Sequence, residues 1–533
     1  MRLPDFFSQA MHDEKWQVLD GARLEQDETW ETDVVIIGTG AGGGTAAEIL
    51  SRAGLRVVMI EEGALRTSQD FQLEELEAYT GLYQEGMTRS TRDGAIGILQ
   101  GRTVGGSTTV NWTSSFRTPD PTLHYWQERF GVKGLGPDEL TPWFQRMEER
   151  FSITEWLAPN RNNEVLLLGC EKLGIPVKAI HRNVKGCWNL GYCGLGCPTN
   201  AKQSMLVTTI PEALRQGSRL VHRLRVQKLF FKPHGVEELL GEALGADGKK
   251  PTGRTLRVRA KHFILASGAI GSPAILLRSE APDPYRTLGR RTFLHPSVFA
   301  FARFADETHP YHGAPQSIYT DHFQWQYGVS GRMGFKIEAA PLQPVFASVI
   351  MRGHGSRHRQ RMEQLDHTAG SLALLRDGFH ESSPGGSVML TGNGSPVLDY
   401  PLTDYVLDGV KRAYAAIGEI YFAAGATAVF PGHGDAEDYT NLEDFRQGLD
   451  RFVFEKLRMR LGSAHVMGGC GMSEHPRHGV VNSQGQHHQL ENLHVWDGSL
   501  FPTSIGANPQ LSIYGIVSKM ATHFVENMGK EKA

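Results

Sequence analysis

Thr32 to Gly63 reads TDVVIIGTGAGGGTAAEILSRAGLRVVMIEEG, and this stretch decides the fold. VVII is a short β-branched run, suited to a strand buried on both faces. AAEILSRAG has helical spacing and ends on a glycine, and RVVMIEE is a second strand. Between the first strand and the helix, Gly38, Gly40 and Gly43 form G-x-G-x-x-G. Gly38 permits a tight turn, Gly40 lets the backbone approach a pyrophosphate, and Gly43 allows close helix–strand packing. The helix N-terminus adds N–H groups and the positive end of its dipole. Glu61 ends the second strand, where a carboxylate can bind a ribose diol. The stretch predicts a dinucleotide-binding unit and does not separate NAD from FAD.

Outward from this unit, the first thirty residues are polar and aromatic and read as a surface arm or hairpin. Residues 64–100 read as mostly helical, 101–117 as a Gly/Ser/Thr-rich loop, and 118–180 as helical. Strand-like text fills 219–262, with 234–253 read as a hairpin loop. Residues 290–400 mix strand-like and His/Gly-rich pieces, a helix is expected over 404–425, and YGIVSKMATHFVENM closes the chain as a helix. GGST (105–108) suits either the edge of a bound ring or a plain surface turn. ASGAIGSP (266–273) suits either a close backbone–ligand approach or a packed turn.

The 533 residues carry 40% hydrophobic and 21% charged residues, a globular composition too long for one ordinary core. A net charge of -3 gives no footprint for nucleic acid. No apolar run reaches the roughly 18 residues of a membrane span, and no signal peptide is legible. Five cysteines, three of them clustered, argue against a secreted disulfide framework. The expected location is cytoplasmic, with peripheral membrane association left open.

Other segments carry a resemblance. GRTVGGSTTVNW (101–112), ILASGAIGSPAILLRS (264–279), HVMGGCGM (465–472) and HVWDGSLFPTSIGANPQLSIYGI (494–516) occur in the order found in the glucose–methanol–choline (GMC) flavin oxidoreductases. Within that family the sequence most resembles the long-chain alcohol oxidase branch. The resemblance implies FAD, and an α/β fold in which a Rossmann-type FAD-binding domain is interleaved with an α+β substrate-binding domain built on an antiparallel sheet. The implied pieces are 30–117, 199–289 and 461–533 for FAD, 290–460 for substrate, and 118–198 as a connecting segment. Gly105, Gly106, Ser107 and Asn111 fall where the family's loop passes the flavin. Val226 falls where backbone atoms meet the adenine, and Asp497 and Gly498 fall near the pyrophosphate and ribityl chain. Some members attach FAD through a histidine just before the motif's asparagine; Val110 stands there, which implies non-covalent FAD.

Oxidising an alcohol on a flavin needs a base for the hydroxyl proton and a donor for its oxygen. His465 lies in a Gly-rich turn, and on its local sequence alone it reads first as a packed core or turn histidine; the resemblance makes it the base. Asn508 precedes Pro509, a common turn initiator, and the resemblance makes it the partner of that base. Cys470 reads as packing. The implied substrate is a primary alcohol with an apolar tail, the implied acceptor oxygen, a quinone or a redox protein. A sugar or sugar-acid dehydrogenase of the same superfamily and a non-catalytic flavoprotein are the alternatives. PLQPVFASVIM (341–351) fits a pocket wall or core strands. CWNLGYCGLGCP (187–198) sets Cys187, Cys193 and Cys197 in a spacing that resembles the three-cysteine segment of FAD-dependent glucose dehydrogenases, where it holds a [3Fe–4S] cluster. A metal-free structural loop, a zinc site or a labile disulfide fit the same thiols.

Overall fold

A computed structural model describes residues 5–156 and 160–531. The 32–63 stretch folds as read: the strand Glu28–Ile37, the helix Ala41–Arg52 and the strand Val57–Ile60. Val34, Val35 and Ile36 are fully buried, as a parallel strand covered on both faces requires. This unit seeds an eight-stranded sheet. Its order is Gln17–Asp20, Arg219–His222, Val57–Ile60, Glu28–Ile37, Pro251–Leu265, Gly235–Leu244 and Leu224–Lys232, with Leu493–Val495 pairing alongside Pro251–Leu265. The strands around Val57–Ile60 and Glu28–Ile37 run parallel; Leu224 to Leu265 forms an antiparallel meander at one edge.

A second eight-stranded sheet is mostly antiparallel. Its centre is Ser297–Arg303, Thr368–Leu375 and Phe335–Ala339. It also takes strands from distant parts of the chain, at Ile96–Ile98, Lys178–Ala179 and Leu461–Ser463. The long helix Asp404–Ala424 packs with the helix Arg161–Lys172 against this sheet. A four-stranded sheet that includes Arg290–Phe293 and Met467–Gly468 carries the chain toward His465. The architecture is the expected α/β fold with two interleaved sheet layers.

Four local readings change. The N-terminal segment is not a surface arm: the helix Phe6–Asp13 leads into Gln17–Asp20, which pairs in parallel with Arg219–His222. Residues 234–253 are not a loop. Gly235–Leu244 is a strand bonded on both sides, and the turn is confined to 245–250, closed by Gly245 N–H donating to the Lys250 carbonyl. VEELLGEAL carries no strand propensity, so its neighbours decide its form. Residues 64–100 are mostly irregular, with one helix at Glu75–Leu82. Residues 344–350 form a helix, Pro344–Ile350, rather than a strand. Among the described residues no helix is long and apolar enough to cross a membrane.

Candidate active site

The helix Ala41–Arg52 starts at Gly40 without a side-chain cap, so its first N–H groups remain for a ligand. Gly38 holds φ +102°, a left-handed turn. A Cβ on Gly42 would lie 1.7 Å from the Trp496 carbonyl oxygen, and one on Gly43 would lie 1.9 Å from that of Gly38. The second glycine turn comes up against the first: a Cβ on Gly106 would lie 2.8 Å from Gly40 Cα. Two backbone turns thus meet with no side chain between them, beside a cavity of about 720 Å³.

That cavity collects most of the residues singled out from the sequence. Gly38, Gly40, Glu61, Gly106, Ser107, Asn111, Val226, Asp497, Gly498, His465 and Asn508 all line it. Gly43 and Gly105 do not. Gly43 packs the helix on its strand, and Gly105 shapes the turn, at φ +88° with its N–H on Thr39 Oγ1 at 3.0 Å. Val110, which replaces an attaching histidine, also lines the cavity.

The two carboxylates expected to meet the nucleotide are already engaged. Glu61 accepts from Thr39 N–H at 3.1 Å, Thr39 Oγ1 at 2.7 Å and Gly63 N–H at 2.9 Å, so it braces the first glycine turn. Asp497 accepts from Gly268 N–H, Ser272 Oγ and both the N–H and hydroxyl of Ser499. It ties the start of the helix Gly268–Arg278 to the C-terminal segment. Burial pushes both carboxyls above the usual range.

At the other part of the cavity stand His465 and Asn508. His465 Nδ1 lies 3.0 Å from Nδ1 of His295, a residue the sequence did not single out. Burial, followed by the Lys336 ammonium, pushes the His465 imidazole down to about 3. Asn508 Oδ1 accepts from Lys336 Nζ at 2.6 Å, and Asn508 Nδ2 lies 3.4 Å from Glu338 Oε2. Lys336 pairs with Glu338 at 2.7 Å, and Gln316 Nε2 donates to Glu338 at 2.9 Å. The adjoining wall is apolar: Phe299, Pro341, Phe346, Ile350, Leu372 and Leu374. Lys336 and Glu338, missed from the sequence, were marked only by two opposite charges two apart in an otherwise apolar run, GFKIEAA, and nothing marked His295 or Gln316.

The three cysteines do not line this cavity. They sit behind its wall. Arg182 donates to Thr113 Oγ1 and, at 3.5 Å, to Cys193 Sγ. Lys202 donates to the carbonyls of Thr109, Asn111 and Cys193. Among the described residues no three or more His, Cys, Asp or Glu side chains are disposed to hold a metal ion.

A Rossmann-type glycine turn and the His465–Asn508 pair on one cavity fit a nucleotide-dependent oxidoreductase. The comparisons narrow the class. Models of the GMC oxidoreductase family match residues 79–297 and 382–516, and an FAD-binding domain model matches 31–72. A long-chain-alcohol oxidase of Arabidopsis thaliana is 29% identical over 94% of this chain and 69% of its own length. An uncharacterised GMC-type oxidoreductase of Mycobacterium tuberculosis is 30% identical over 92% of this chain and 76% of its own. A solved formate oxidase from Aspergillus oryzae superposes with a TM-score of 0.67 at 15% identity, covering 94% of this chain and 99% of that one. The chain belongs to the GMC oxidoreductase family. It is an FAD-dependent oxidoreductase acting on CH–OH donors.

Proposed function

We propose that the chain oxidises a primary alcohol with an apolar tail to the aldehyde, with His465 as the base and Asn508 as the donor to the oxygen. One observation carries this reading: His465, Asn508 and the apolar wall of Phe299, Phe346, Ile350, Leu372 and Leu374 share one cavity with both glycine turns. FAD, when bound, supplies the acceptor for the hydride that leaves the carbinol carbon. Gly38, Gly40 and Gly43 with the helix start, Glu61, and Val226 are the residues to hold its nucleotide half. Gly105, Gly106, Ser107, Asn111, Asp497 and Gly498 are those to hold its flavin half. In this reading 30–117, 199–289 and 461–533 form the FAD side, 290–460 the substrate side, and 118–198 connects them.

The hydroxyl proton passes to Nε2 of His465, which burial keeps neutral before the substrate arrives. Negative charge growing on the oxygen meets the free N–H of Asn508. The apolar wall excludes water and orients the tail. The relative's name, long-chain-alcohol oxidase, points to the same substrate class. The test is anaerobic. Holoprotein should be yellow and should bleach with decanol, and the reoxidation rates with oxygen and with a quinone name the acceptor. Yellow protein that neither decanol nor a sugar bleaches sinks the reading.

A further inference from the structure

Lys336 and Glu338 stand two apart on the strand Phe335–Ala339, so both side chains leave the same face of the sheet. Their cross-strand partners on that face are Leu374 and Leu372, which in turn face Ser297 and Phe299. All four partners line the cavity. An ion pair has therefore been set into the apolar wall of the site, with side-chain exposures of 2% and 0%. Such a pair is a poor device for stability: burying two charges carries a large desolvation cost, and well-packed apolar replacements of both are often neutral or better. Its purpose is better sought in what it touches.

An ammonium group only donates hydrogen bonds. The Asn508 atom 2.6 Å from Lys336 Nζ is therefore the oxygen, which settles the orientation of that amide. The carboxylate of Glu338 only accepts, and Asn508 Nδ2 lies on its side, at 3.4 Å. Both partners demand the same orientation. With Oδ1 on Lys336 and one N–H toward Glu338, the second N–H of Nδ2 is left for the cavity that Asn508 lines. Gln316 locks the carboxylate in turn, at 2.9 Å from Oε2, and is itself held by Ser114 Oγ at 3.0 Å. The Phe116 ring lies under the ammonium, 3.3 Å from Nζ, and fixes the side chain in place.

We infer that Lys336 and Glu338 are a positioning pair that holds the Asn508 amide with an N–H, and never its oxygen, toward the reacting hydroxyl. Without the pair the amide is free to turn over and present an acceptor to an oxygen that is gaining negative charge. The charged and titratable groups around the pair are His465 and His295 on one side and Asp321 and Tyr319 on the other. This inference rests on the proposed roles of His465 and Asn508.

The test is a double-mutant cycle in the holoenzyme, read by anaerobic stopped-flow flavin reduction with decanol. K336M strands the buried Glu338 carboxylate, so its melting temperature should fall, but it should keep FAD, with an apparent decanol dissociation constant within about threefold of wild type. Its limiting reduction rate should fall by about 10-fold or more, approaching the loss in N508A, since one such donor is typically worth about 10²–10³. K336M/N508A should be no slower than N508A alone, because the lysine acts through the asparagine. Where K336M fails to fold, the apolar pair K336M/E338L gives the same comparison with and without N508A. Wild-type reduction in K336M, or losses that multiply in the double variant, overturns the inference. H465A in the same series separates the two claims: wild-type reduction there defeats the proposed base, while the coupling between 336 and 508 is still read on its own.

Discussion

His465 and His295 face each other Nδ1 to Nδ1 at 3.0 Å. Two ring nitrogens at that distance share one proton, so one ring donates and the other accepts. When His465 carries it, its Nε2 is a bare lone pair on the cavity, the form a base needs. His295 is held firmly in place. Its backbone sits at φ +48°, in the left-handed region, and Asp377 fixes it by accepting the N–H groups of Leu294 and His295 at 3.0 Å each. Tyr400 donates to the same carboxylate at 2.7 Å. Replacing His295 by leucine should leave FAD bound and lower the flavin-reduction rate by about 10- to 100-fold, part of what a positioned base contributes. An unchanged rate in anaerobic stopped-flow would mean that His465 needs no partner.

His465, the proposed base, should have the larger effect. His465→Ala should reduce the rate by about 10²–10⁴ with FAD content unchanged. Flavin absorbance per polypeptide checks the second half of that statement, and single-turnover reduction checks the first.

The dinucleotide unit could be read from sequence because everything that makes it is local. A buried parallel strand, a glycine turn and a helix lie within thirty residues, and each dictates the next. The site residues that came from the GMC resemblance also fall on one cavity, apart from Gly105. What stayed hidden was settled by partners far along the chain. His295 gains its meaning from His465, 170 positions away, and Lys336 from Asn508, 172 away. The strand Gln17–Asp20 exists because Arg219–His222 offers it an edge. Glu61 and Asp497 were expected to reach for the nucleotide, yet most of their bonding goes to the turns that shape its site.

Buried histidines set an acid limit on stability. Burial holds His222 and His487 down to about 4 and His465 and His494 down to about 3. In the unfolded chain each titrates near 6.5, so acid protonates the unfolded state first. Their contribution to stability is full above about pH 6.5 and is lost as pH falls toward the folded values. His494 packs on Trp496 and Phe524, away from the catalytic pair. His494→Asn should flatten the decline of melting temperature between about pH 6.5 and 4 relative to wild type. Parallel curves would show that His494 is not one of the groups responsible.

The glycine turn should be intolerant of one methyl group. At Gly43 a Cβ would meet backbone atoms, which cannot swing aside, so Gly43→Ala should destabilise by about 1–3 kcal/mol and lower the FAD content. Gly81, in the helix Glu75–Leu82, has nothing within 4 Å of an added Cβ and serves as the control. Gly81→Ala should be neutral or slightly stabilising. The measurement is flavin absorbance per chain together with the melting temperature.

The cysteine loop separates one sulfur from two. Cys193 is the sulfur beside Arg182, and its own carbonyl takes a bond from Lys202. Both cations also hold the 109–113 segment of the cavity wall, Lys202 through the carbonyls of Thr109 and Asn111 and Arg182 through Thr113. Cys187 and Cys197 hydrogen-bond only locally, with Asn189 N–H and Thr199 Oγ1, although both also interact electrostatically with Lys202 and Cys193. Replacing either of those two by serine should therefore leave FAD content and reduction rate near wild type, because neither makes a hydrogen bond to the cavity wall. Cys193→Leu should lower FAD content, since a larger apolar group beside Arg182 pushes on the segment that carries Asn111. Iron should be absent from purified holoenzyme at any stoichiometric level. Iron bound in proportion to protein and lost in Cys187→Ser would overturn this reading and make the loop an electron carrier.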